Sequence, residues 1–465
     1  MPPLAARARF CAAVSEARRR CAQSRSSCRR PAPAAACPRG RPLRHRMFAN
    51  TPVWLGVCGP PERKHSRNKR KGGGGGQASD ACAFLAPHVA ASQIRSFGRS
   101  AAAGGQRGRM SAAPLVFDKI ADYRSWLDSL PGRARNVGFV PTMGALHEGH
   151  LSLARLAGKT CKNVVVSIFV NPSQFAPHED LNAYPRTVAE DLKMLAGTGV
   201  VDAVIVPTVD EMYPSGITLD VKKQTGTFVE VLGLGSRMEG AVRPQKLADA
   251  NTSLHARSFF RGVTTVLTKL VNLAQPSHLF LGQKDFQQAS IVRRMLHDLL
   301  VPVELVVGAT VREPSDGLAL SSRNRYLSPA ERAVAGTLYR ALRAGKDVWA
   351  GSPTARCSRG AIIGAAENVV READEKERAK GEGKGVSVSL EYLSLVDPWT
   401  LDEVDYLEGL GDLHEGSHVF AGAGEPAAAA SISPGPGRGA VLCGAIRVGK
   451  TRLIDNLLIG CSLRT

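Results

Sequence analysis

The chain has 465 residues and a formal net charge of +20, which would suit a nucleic-acid-binding protein if the charge covered a folded surface. The charge is instead concentrated at one end. The first 110 residues hold 22 Lys and Arg against three acidic residues, and the other 355 residues hold 39 basic and 38 acidic side chains. The body of the protein is therefore neutral, so we expect no nucleic-acid partner for it. No apolar run reaches the length of a membrane span, so we expect no membrane partner either.

Residues 1–112 are rich in Arg, Ala, Ser, Pro and Gly, and five glycines follow one another at 72–76. Such a segment cannot bury enough apolar surface to offset the entropy of ordering, so we predict a disordered basic extension. An Arg- and Ser-rich, acid-poor N-terminus is also typical of plastid or mitochondrial transit peptides. Two alternatives stay open: a tail without a targeting role, and a stretch that precedes the true start, for which Met47 and Met110 are candidates.

Six of the ten cysteines lie in the same basic segment, and the other four are far apart in the body. They are Cys161, Cys357, Cys443 and Cys461, and no pair has CxxC spacing. This distribution argues against zinc ribbons and against a disulfide framework, and it favours a reducing compartment.

The apolar pattern after residue 112 predicts strands and helices in alternation. Strands are predicted at 136–140, 163–170, 202–206, 278–281 and 302–307, and helices at 149–158, 188–196, 262–274 and 285–299. Strands that alternate with helices imply a parallel sheet with helical crossovers. We therefore predict a doubly wound, Rossmann-like α/β domain over residues 113–310.

Residues 311–465 predict a smaller α+β domain. Helices are predicted at 329–350 and 359–374, followed by strands at 387–396, 418–420 and 440–448. Two further segments, 245–258 and 421–439, are polar or rich in Ala, Gly, Pro and Ser, and we interpret them as inserted loops.

The strongest functional signal is the run Pro-Thr-Met-Gly-Ala-Leu-His-Glu-Gly-His at 141–150, where the first strong strand gives way to a helix. A helix N-terminus after a parallel strand favours phosphate, and His147 and His150 could aim imidazole N–H donors at it across Gly149. Two alternatives stay open. The histidines could only cap the helix, or they could bind a metal, although the zinc-protease spacing and a third ligand are absent from the sequence.

A second motif fits a nucleotide-binding pattern but lacks the structural context that the pattern requires. Residues 444–451 fit the phosphate-loop pattern letter for letter, but that loop needs a strand before it and a helix after it. Residues 440–448 themselves predict a strand, so the would-be loop is expected to be extended.

The run at 141–150 resembles the His-x-Gly-His nucleotidyltransferase signature as it occurs in pantothenate synthetases, the pantoate–β-alanine ligases. Further similar runs follow in the family's order at 167–175, 184–187, 260–263, 282–288, 316–324 and 451–456. The resemblance implies a nucleotide-binding domain and a ligase that uses ATP and Mg²⁺ to convert pantoate into an acyl-adenylate. The amine of β-alanine would then take the acyl group, releasing AMP. It also implies a homodimer and a cytoplasmic location, with the organelle as the alternative.

The resemblance also assigns roles to residues at matching positions. It implies catalytic roles for His147, His150 and Lys284. It implies ATP-binding roles for Met143, Gly144, His150, Gly282, Lys284, Asp285, Ser321, Ser322 and Arg323. The implied pantoate ligands are Asn171, Gln174, Arg243 and Gln288. Glu190 and Asp191 stand where the family has an acid that serves Mg²⁺, and an ordinary helix surface is the alternative for that pair.

The sequence departs from the family's pattern between Arg243 and Phe260. Family members run almost directly from Arg-Pro into Phe-Arg-Gly, whereas here residues 245–258 intervene and the family's substrate-side histidine is not at its place. His255 is not a safe substitute. The alternatives are a relative impaired by this segment, another nucleotidyltransferase or class I aminoacyl-tRNA synthetase with the same histidine motif, and a nucleic-acid-binding protein that uses its basic tail.

Overall fold

The computed structural model describes residues 113–131, 136–175, 181, 184–218, 223–238, 251–352, 356–381, 383–408, 419–420 and 439–463. The predicted basic extension at 1–112, the predicted pantoate ligand Arg243 and almost all of the predicted loop at 421–439 lie outside the described residues. Their roles stay predictions.

A parallel sheet forms the centre of the described fold. In chain order its strands are β1 Leu115–Phe117, β2 Val137–Thr142, β3 Asn163–Ile168, β4 Ala203–Ile205, β5 His278–Gly282 and β6 Glu304–Gly308. Their order across the sheet is β1-β4-β3-β2-β5-β6, and every pairing is parallel. The chain moves outward from β2 through β3 to β4 and then crosses to β5 on the other side of β2. This reversal makes the carboxyl ends of β2 and β5 the place where a ligand crevice is expected, and it confirms the predicted doubly wound fold.

Helices cover both faces of this sheet because its strands are apolar on both. The helices of this part are α1 Ile120–Ser129, α2 Glu148–Thr160, α3 Val188–Gly197, the single turn α4 Val209–Met212, α5 Asn251–Ala274 and α6 Phe286–Asp298. In β2, Phe139 belongs to the core shared with α5 and α6, whereas the next residue, Val140, belongs to the core shared with α2 and α3. Successive strand side chains point to opposite faces, so a continuous apolar run fills two cores at once.

The prediction of a loop at 245–258 is wrong over its second half, because α5 begins at Asn251. The polar composition of the segment predicts a loop. Residues 251–261 contain neither Gly nor Pro, and they open with Asn-Thr-Ser, residue types that favour helix starts. Because helix breakers are absent, these residues extend the helix instead of forming a loop.

The second part of the chain is a smaller α+β unit, as predicted. Its helices are α7 Pro329–Val334, α8 Thr337–Ala350 and α9 Arg359–Arg378, so the one helix predicted at 329–350 is broken near Gly336. Its main sheet is antiparallel with the order β12-β11-β8, formed by β8 Val388–Val396, β11 Ala440–Val448 and β12 Thr451–Ile459. Two short pairs of strands form separate sheets. One joins β7 Cys357–Ser358 to β9 Tyr406–Leu407, and the other joins β10 Val419–Phe420 to β13 Ser462–Leu463.

The motif at 444–451 that fits the phosphate-loop pattern lies in the β11–β12 hairpin. Residues 444–448 lie in β11, and Gly449 and Lys450 form the turn that leads into β12. An extended strand cannot wrap a phosphate, so the segment is not a phosphate loop.

The two parts pack against each other through a common core. Tyr392, Val396 and Val441 of the second part belong to the same buried cluster as Phe139 and Leu279 of the parallel sheet. Strand β12 is thereby held beside the carboxyl end of β5, next to the expected crevice. Among the described residues, no helix combines the length and the apolar composition needed to cross a bilayer.

Candidate active site

A cavity of about 540 Å³ opens at the carboxyl ends of β2 and β5. Most of the side chains that the sequence assigns to the site line it, although they are up to 180 residues apart. They are Met143, His147, His150, Asn171, Gln174, Gly282, Lys284, Asp285, Gln288, Ser321, Ser322 and Arg323. Gly144, Glu190 and Asp191 do not line it.

The paired histidines cap helix α2 through one ring nitrogen each. The backbone N–H of Gly149 donates to Nδ1 of His147 at 3.2 Å, and the backbone N–H of His147 donates to Nδ1 of His150 at 3.3 Å. A ring nitrogen that accepts a hydrogen bond carries no proton, so each neutral ring holds its proton on Nε2. The capping alternative and the phosphate-donor prediction are therefore compatible, because they use different nitrogens of the same rings.

Close packing keeps the two rings together beside the cavity. Their centroids are 4.1 Å apart. A Cβ at Gly149 would lie 2.9 Å from the ring of His147, so only glycine leaves room for the ring at this place.

The site keeps both histidines neutral at physiological pH. Burial lowers the pKa of His147 to about 4, and the charge of Lys284 acts in the same direction. Burial lowers the pKa of His150 to about 3, with further contributions from His147 and Lys284. The ammonium of Lys284 is thus close enough to act on both rings, and two neutral N–H donors and one cation converge on the cavity.

The free energy of unfolding is expected to fall as the pH drops below 6.5. Unfolded histidines then bind protons, whereas His147 and His150 in the fold stay neutral down to pH values of about 4 and about 3. Protons therefore stabilise the unfolded state, by about 2 kcal/mol at about pH 5 for His150 alone. Urea unfolding at about pH 7 and about pH 5 measures this. His150→Asn cannot titrate, so its stability should fall by about 2 kcal/mol less over the same range, and equal falls in both proteins would contradict the prediction.

Asp191 holds the loop that carries the histidines. The side chain is 1% exposed, and its two carboxylate oxygens accept the backbone N–H groups of Ala145 at 3.0 Å and Leu146 at 2.8 Å. The hydroxyl of Thr187 donates to the same carboxylate at 3.1 Å. Gly144 and Ala145 both have positive φ values, 83° and 50°, a conformation that costs energy for alanine. A buried acceptor for two successive N–H groups stabilises this turn.

The predicted magnesium pair does not fit a resident ion. Burial raises the pKa of Asp191 although the N–H donors oppose the shift, and three donors already occupy its oxygens. Glu190 is exposed on α3 and does not line the cavity. No group of three or more metal-ligating side chains forms anywhere in the described residues. Asp191 therefore has a structural role, which is to hold the turn that carries the histidines.

Asp191→Asn is expected to lower the free energy of unfolding by about 1–3 kcal/mol, because an amide cannot accept from both backbone N–H groups. Urea unfolding in EDTA measures the loss without magnesium. Glu190→Gln is the matched control and should change stability by less than about 0.5 kcal/mol. Unchanged stability of Asp191→Asn in EDTA, together with a raised Mg²⁺ requirement for turnover, would assign the carboxylate to the metal instead.

On the opposite wall of the cavity, Asn171 orients Gln174. Asn171 is 1% exposed, and its Nδ2 donates to Oε1 of Gln174 at 2.9 Å and to the carbonyl of Gly262 at 3.2 Å. Its Oδ1 accepts from the hydroxyl of Tyr213 at 2.6 Å. Its amide is therefore fully engaged. The amide of Gln288 also lines the cavity, and no hydrogen bond joins it to another residue of the described part of the chain.

The second part of the chain supplies the remaining wall. Ser321, Ser322 and Arg323 lie at the start of a 3₁₀ turn that begins at Ser322 and faces the cavity. The hydroxyl of Ser322 is hydrogen-bonded to Tyr184, and burial raises the pKa of that phenol, so it stays protonated. This turn offers hydroxyls and a guanidinium, which are good donors to phosphate oxygens.

Sequence reasoning missed several residues of the site. Tyr184 and Asn456 line the cavity, and the sequence indicates each of them only as a member of a run similar to the family's. Arg325 also escaped notice, although its guanidinium donates to the carbonyl of Leu146 at 3.5 Å. The matching runs at 184–187 and 451–456 indicate that these segments matter without indicating what their side chains contact.

The fold and the donors at its switch point define a nucleotidyltransferase-like α/β protein. Residues 115–458 match the family model described as pantoate-beta-alanine ligase. Pantothenate synthetase of Chloroflexus aggregans is 42% identical over 323 residues, covering 70% of this chain and 93% of the relative. That of Moorella thermoacetica is 39% identical over 347 residues, covering 74% and 98%.

Solved structures of the same family are also similar to this chain. Pantothenate synthetase from Thermus thermophilus is 38% identical with a TM-score of 0.56, covering 74% of this chain and 98% of that one. Pantoate-beta-alanine ligase from Francisella tularensis, complexed with β,γ ATP and β-alanine, is 27% identical with a TM-score of 0.50 over the same shares. The chain belongs to the pantoate–β-alanine ligase family, and it is an ATP-dependent carbon–nitrogen ligase.

Proposed function

We propose that the cavity carries out both half-reactions of pantothenate synthesis, with the residue roles given below. The observation that carries the proposal is the engagement of both imidazole Nδ1 atoms in the cap of α2. It leaves two protonated Nε2 atoms beside a lysine in one cavity. That is a set of fixed donors for charge that develops on a phosphoryl group.

In the first step, a carboxylate oxygen of pantoate attacks the α-phosphorus of ATP. The new O–P bond forms as the bond from the α-phosphorus to the bridging oxygen of pyrophosphate breaks. Negative charge accumulates on the α-phosphoryl oxygens, where the Nε2–H groups of His147 and His150 and the ammonium of Lys284 would stabilise it. Pyrophosphate leaves with the electron pair toward Ser321, Ser322 and Arg323, which are donors suited to it. Asp285, with a half-exposed side chain, suits a ribose hydroxyl.

Pantoate would lie against the opposite wall. Gln174, held by Asn171, and Gln288 offer amide donors and acceptors that suit a substrate with hydroxyls and a carboxylate. In the second step, the amine of β-alanine attacks the acyl carbon of the adenylate. The C–N bond forms as the bond from the acyl carbon to the phosphate oxygen of AMP breaks. AMP leaves with the electron pair, and the proton of the amine passes to water. Most of the acceleration would come from positioning and electrostatics rather than from a covalent enzyme intermediate.

Two further properties belong to the proposal. Enzymes commonly hold magnesium through the phosphates of their nucleotide, and we propose that Mg²⁺ arrives on ATP rather than on Glu190 or Asp191. We also propose that the chain acts as a homodimer, which the family resemblance implies. Sedimentation equilibrium of the full chain tests the second point.

The test of the reaction uses the full chain with ATP, Mg²⁺ and pantoate. Without β-alanine, labelled pyrophosphate should enter ATP only when pantoate is present. Addition of labelled β-alanine should then give pantothenate and AMP in equal amounts. Pyrophosphate exchange that occurs without pantoate would favour another nucleotidyltransferase. The absence of both reactions would favour a relative impaired by residues 245–258.

A further inference from the structure

The last long strand of the second part reaches into the active site through one side chain. Asn456 on β12 is 2% exposed. Its Nδ2 donates to the backbone carbonyls of Gln283 at 2.9 Å and Lys284 at 3.0 Å, and its Oδ1 accepts from Nε2 of Gln283 at 3.0 Å. One amide therefore uses both of its donors and its acceptor on the turn that carries Lys284.

A buried ion pair fixes the strand on which Asn456 lies. Asp455 accepts two hydrogen bonds from the guanidinium of Arg312, at 2.5 and 2.9 Å, and its side chain is 4% exposed. The same guanidinium donates to the carbonyls of Gly317 at 3.1 Å and Asn456 at 3.3 Å. Arg312 belongs to the segment that connects the two parts of the chain, so β12 is tied to that connection immediately beside the cavity.

The turn that carries Lys284 needs such support. It is a single 3₁₀ turn, Gln283–Asp285, between the end of β5 and the start of α6. One turn of this kind has few internal hydrogen bonds, so its carbonyl directions are set by external partners. The carbonyl of Lys284 itself accepts from Asn456, which links the backbone position of the lysine to β12.

We propose that Asn456 is a positioning residue that places the ammonium of Lys284 against the phosphoryl group, with Asp455 and Arg312 holding Asn456 in turn. The inference rests on the proposed role of Lys284 in adenylation. It gives the second part of the chain a share in the first chemical step, in addition to the donors at 321–323. An asparagine suits the task because two carbonyls and one amide N–H need two donors and one acceptor within a single side chain.

The test is pantoate-dependent exchange of labelled pyrophosphate into ATP by the full chain. Asn456→Ala should lower the kcat of exchange about 10- to 100-fold, because a displacement of about 1 Å at a reacting group can cost about 10²-fold. The KM for pantoate should stay within about twofold. Asn456→Ser keeps one donor and should lose less, and it serves if the alanine variant does not fold. Glu377→Gln, a substitution at a buried acid on α9 away from the cavity, is the control for general destabilisation and should keep wild-type exchange.

A double-mutant cycle with Lys284→Met separates positioning from plain stability. If Asn456 acts through Lys284, then Asn456→Ala should cost no more than about twofold in the Lys284→Met background. The same 10- to 100-fold loss in both backgrounds, or wild-type kcat in Asn456→Ala and Asn456→Ser, would overturn the inference. Wild-type exchange in Lys284→Met alone would instead overturn the proposed role of the lysine, so the two failures are distinguishable.

Discussion

His147→Asn and His150→Asn should each lower the kcat of pantoate adenylation by about 10²–10³-fold while the protein stays folded. An asparagine places its side-chain oxygen near the position of Nδ1, so it can still accept the backbone N–H that the histidine accepts. It places nothing at the position of Nε2, so the donor to phosphate is lost. Pyrophosphate exchange measures the first step, and urea unfolding measures the fold.

Glutamine at the same two positions is the matched control. Its amide reaches about as far as Nε2, so it can keep a donor toward the cavity, but it gives up the cap. His147→Gln should therefore lose about 1 kcal/mol of unfolding free energy and retain more activity than His147→Asn. Full activity in the asparagine variants, or lower activity in the glutamine variants than in the asparagine variants, would show that capping is the only task of these rings.

Lys284→Met should lower the kcat of pyrophosphate exchange by about 10³-fold, because it removes a cation that acts on both imidazoles and preserves most of the length of the side chain. The side chain of Lys284 is 17% exposed, so little bulk water reaches it to screen its charge. Loss of this charge should also raise the pKa of His147 and His150, since Lys284 contributes to lowering both. Titration of the histidine signals by NMR measures that shift.

The control for Lys284→Met is Lys159→Met. Lys159 is exposed in the last turn of α2, at the opposite end of the helix from the histidines. Its substitution removes the same charge from the same part of the fold and should leave exchange and the histidine titration unchanged. Equal losses in both variants would mean that net charge, rather than the position of Lys284, governs the reaction.

The parallel sheet and the histidine corner could be predicted because their signals are local. The run at 163–168 is nearly all apolar, which is typical of a strand buried on both faces, and the histidines follow within eight residues of the end of β2. Parallel strands end at the same edge of the sheet, so the residues after β2 and β5 had to meet there. The family resemblance, rather than this argument, assigns Lys284 to the site, and the structure places it at this edge after β5.

The supports of the site could not be predicted, because they join residues that are remote in sequence. Asp191 contacts Ala145 and Leu146 across 45 residues or more, and Asn456 contacts Lys284 across 172. Neither residue differs in local pattern from an ordinary polar residue of a helix or a strand. Asp191 was assigned to magnesium from the family's pattern alone, and only its burial and its N–H donors show the structural task.

The sequence also could not show whether the histidine pair caps the helix, faces a phosphate site or does both. Histidines three apart at a helix start suit a cap and suit a phosphate site equally well. The orientation of the rings shows that the two roles are compatible, because it assigns Nδ1 of each ring to the backbone and leaves Nε2 for a ligand.

A crystal structure of the full chain with pantoate and a non-hydrolysable ATP analogue would show whether the two imidazoles bind the α-phosphate. We expect oxygens of the α-phosphate within about 2.7–3.2 Å of Nε2 of both His147 and His150, a normal hydrogen-bond distance. Both Nδ1 atoms should still accept from the backbone, and the ammonium of Lys284 should contact the same phosphate. A nucleotide bound elsewhere, or rings that turn Nδ1 toward the phosphate, would contradict it.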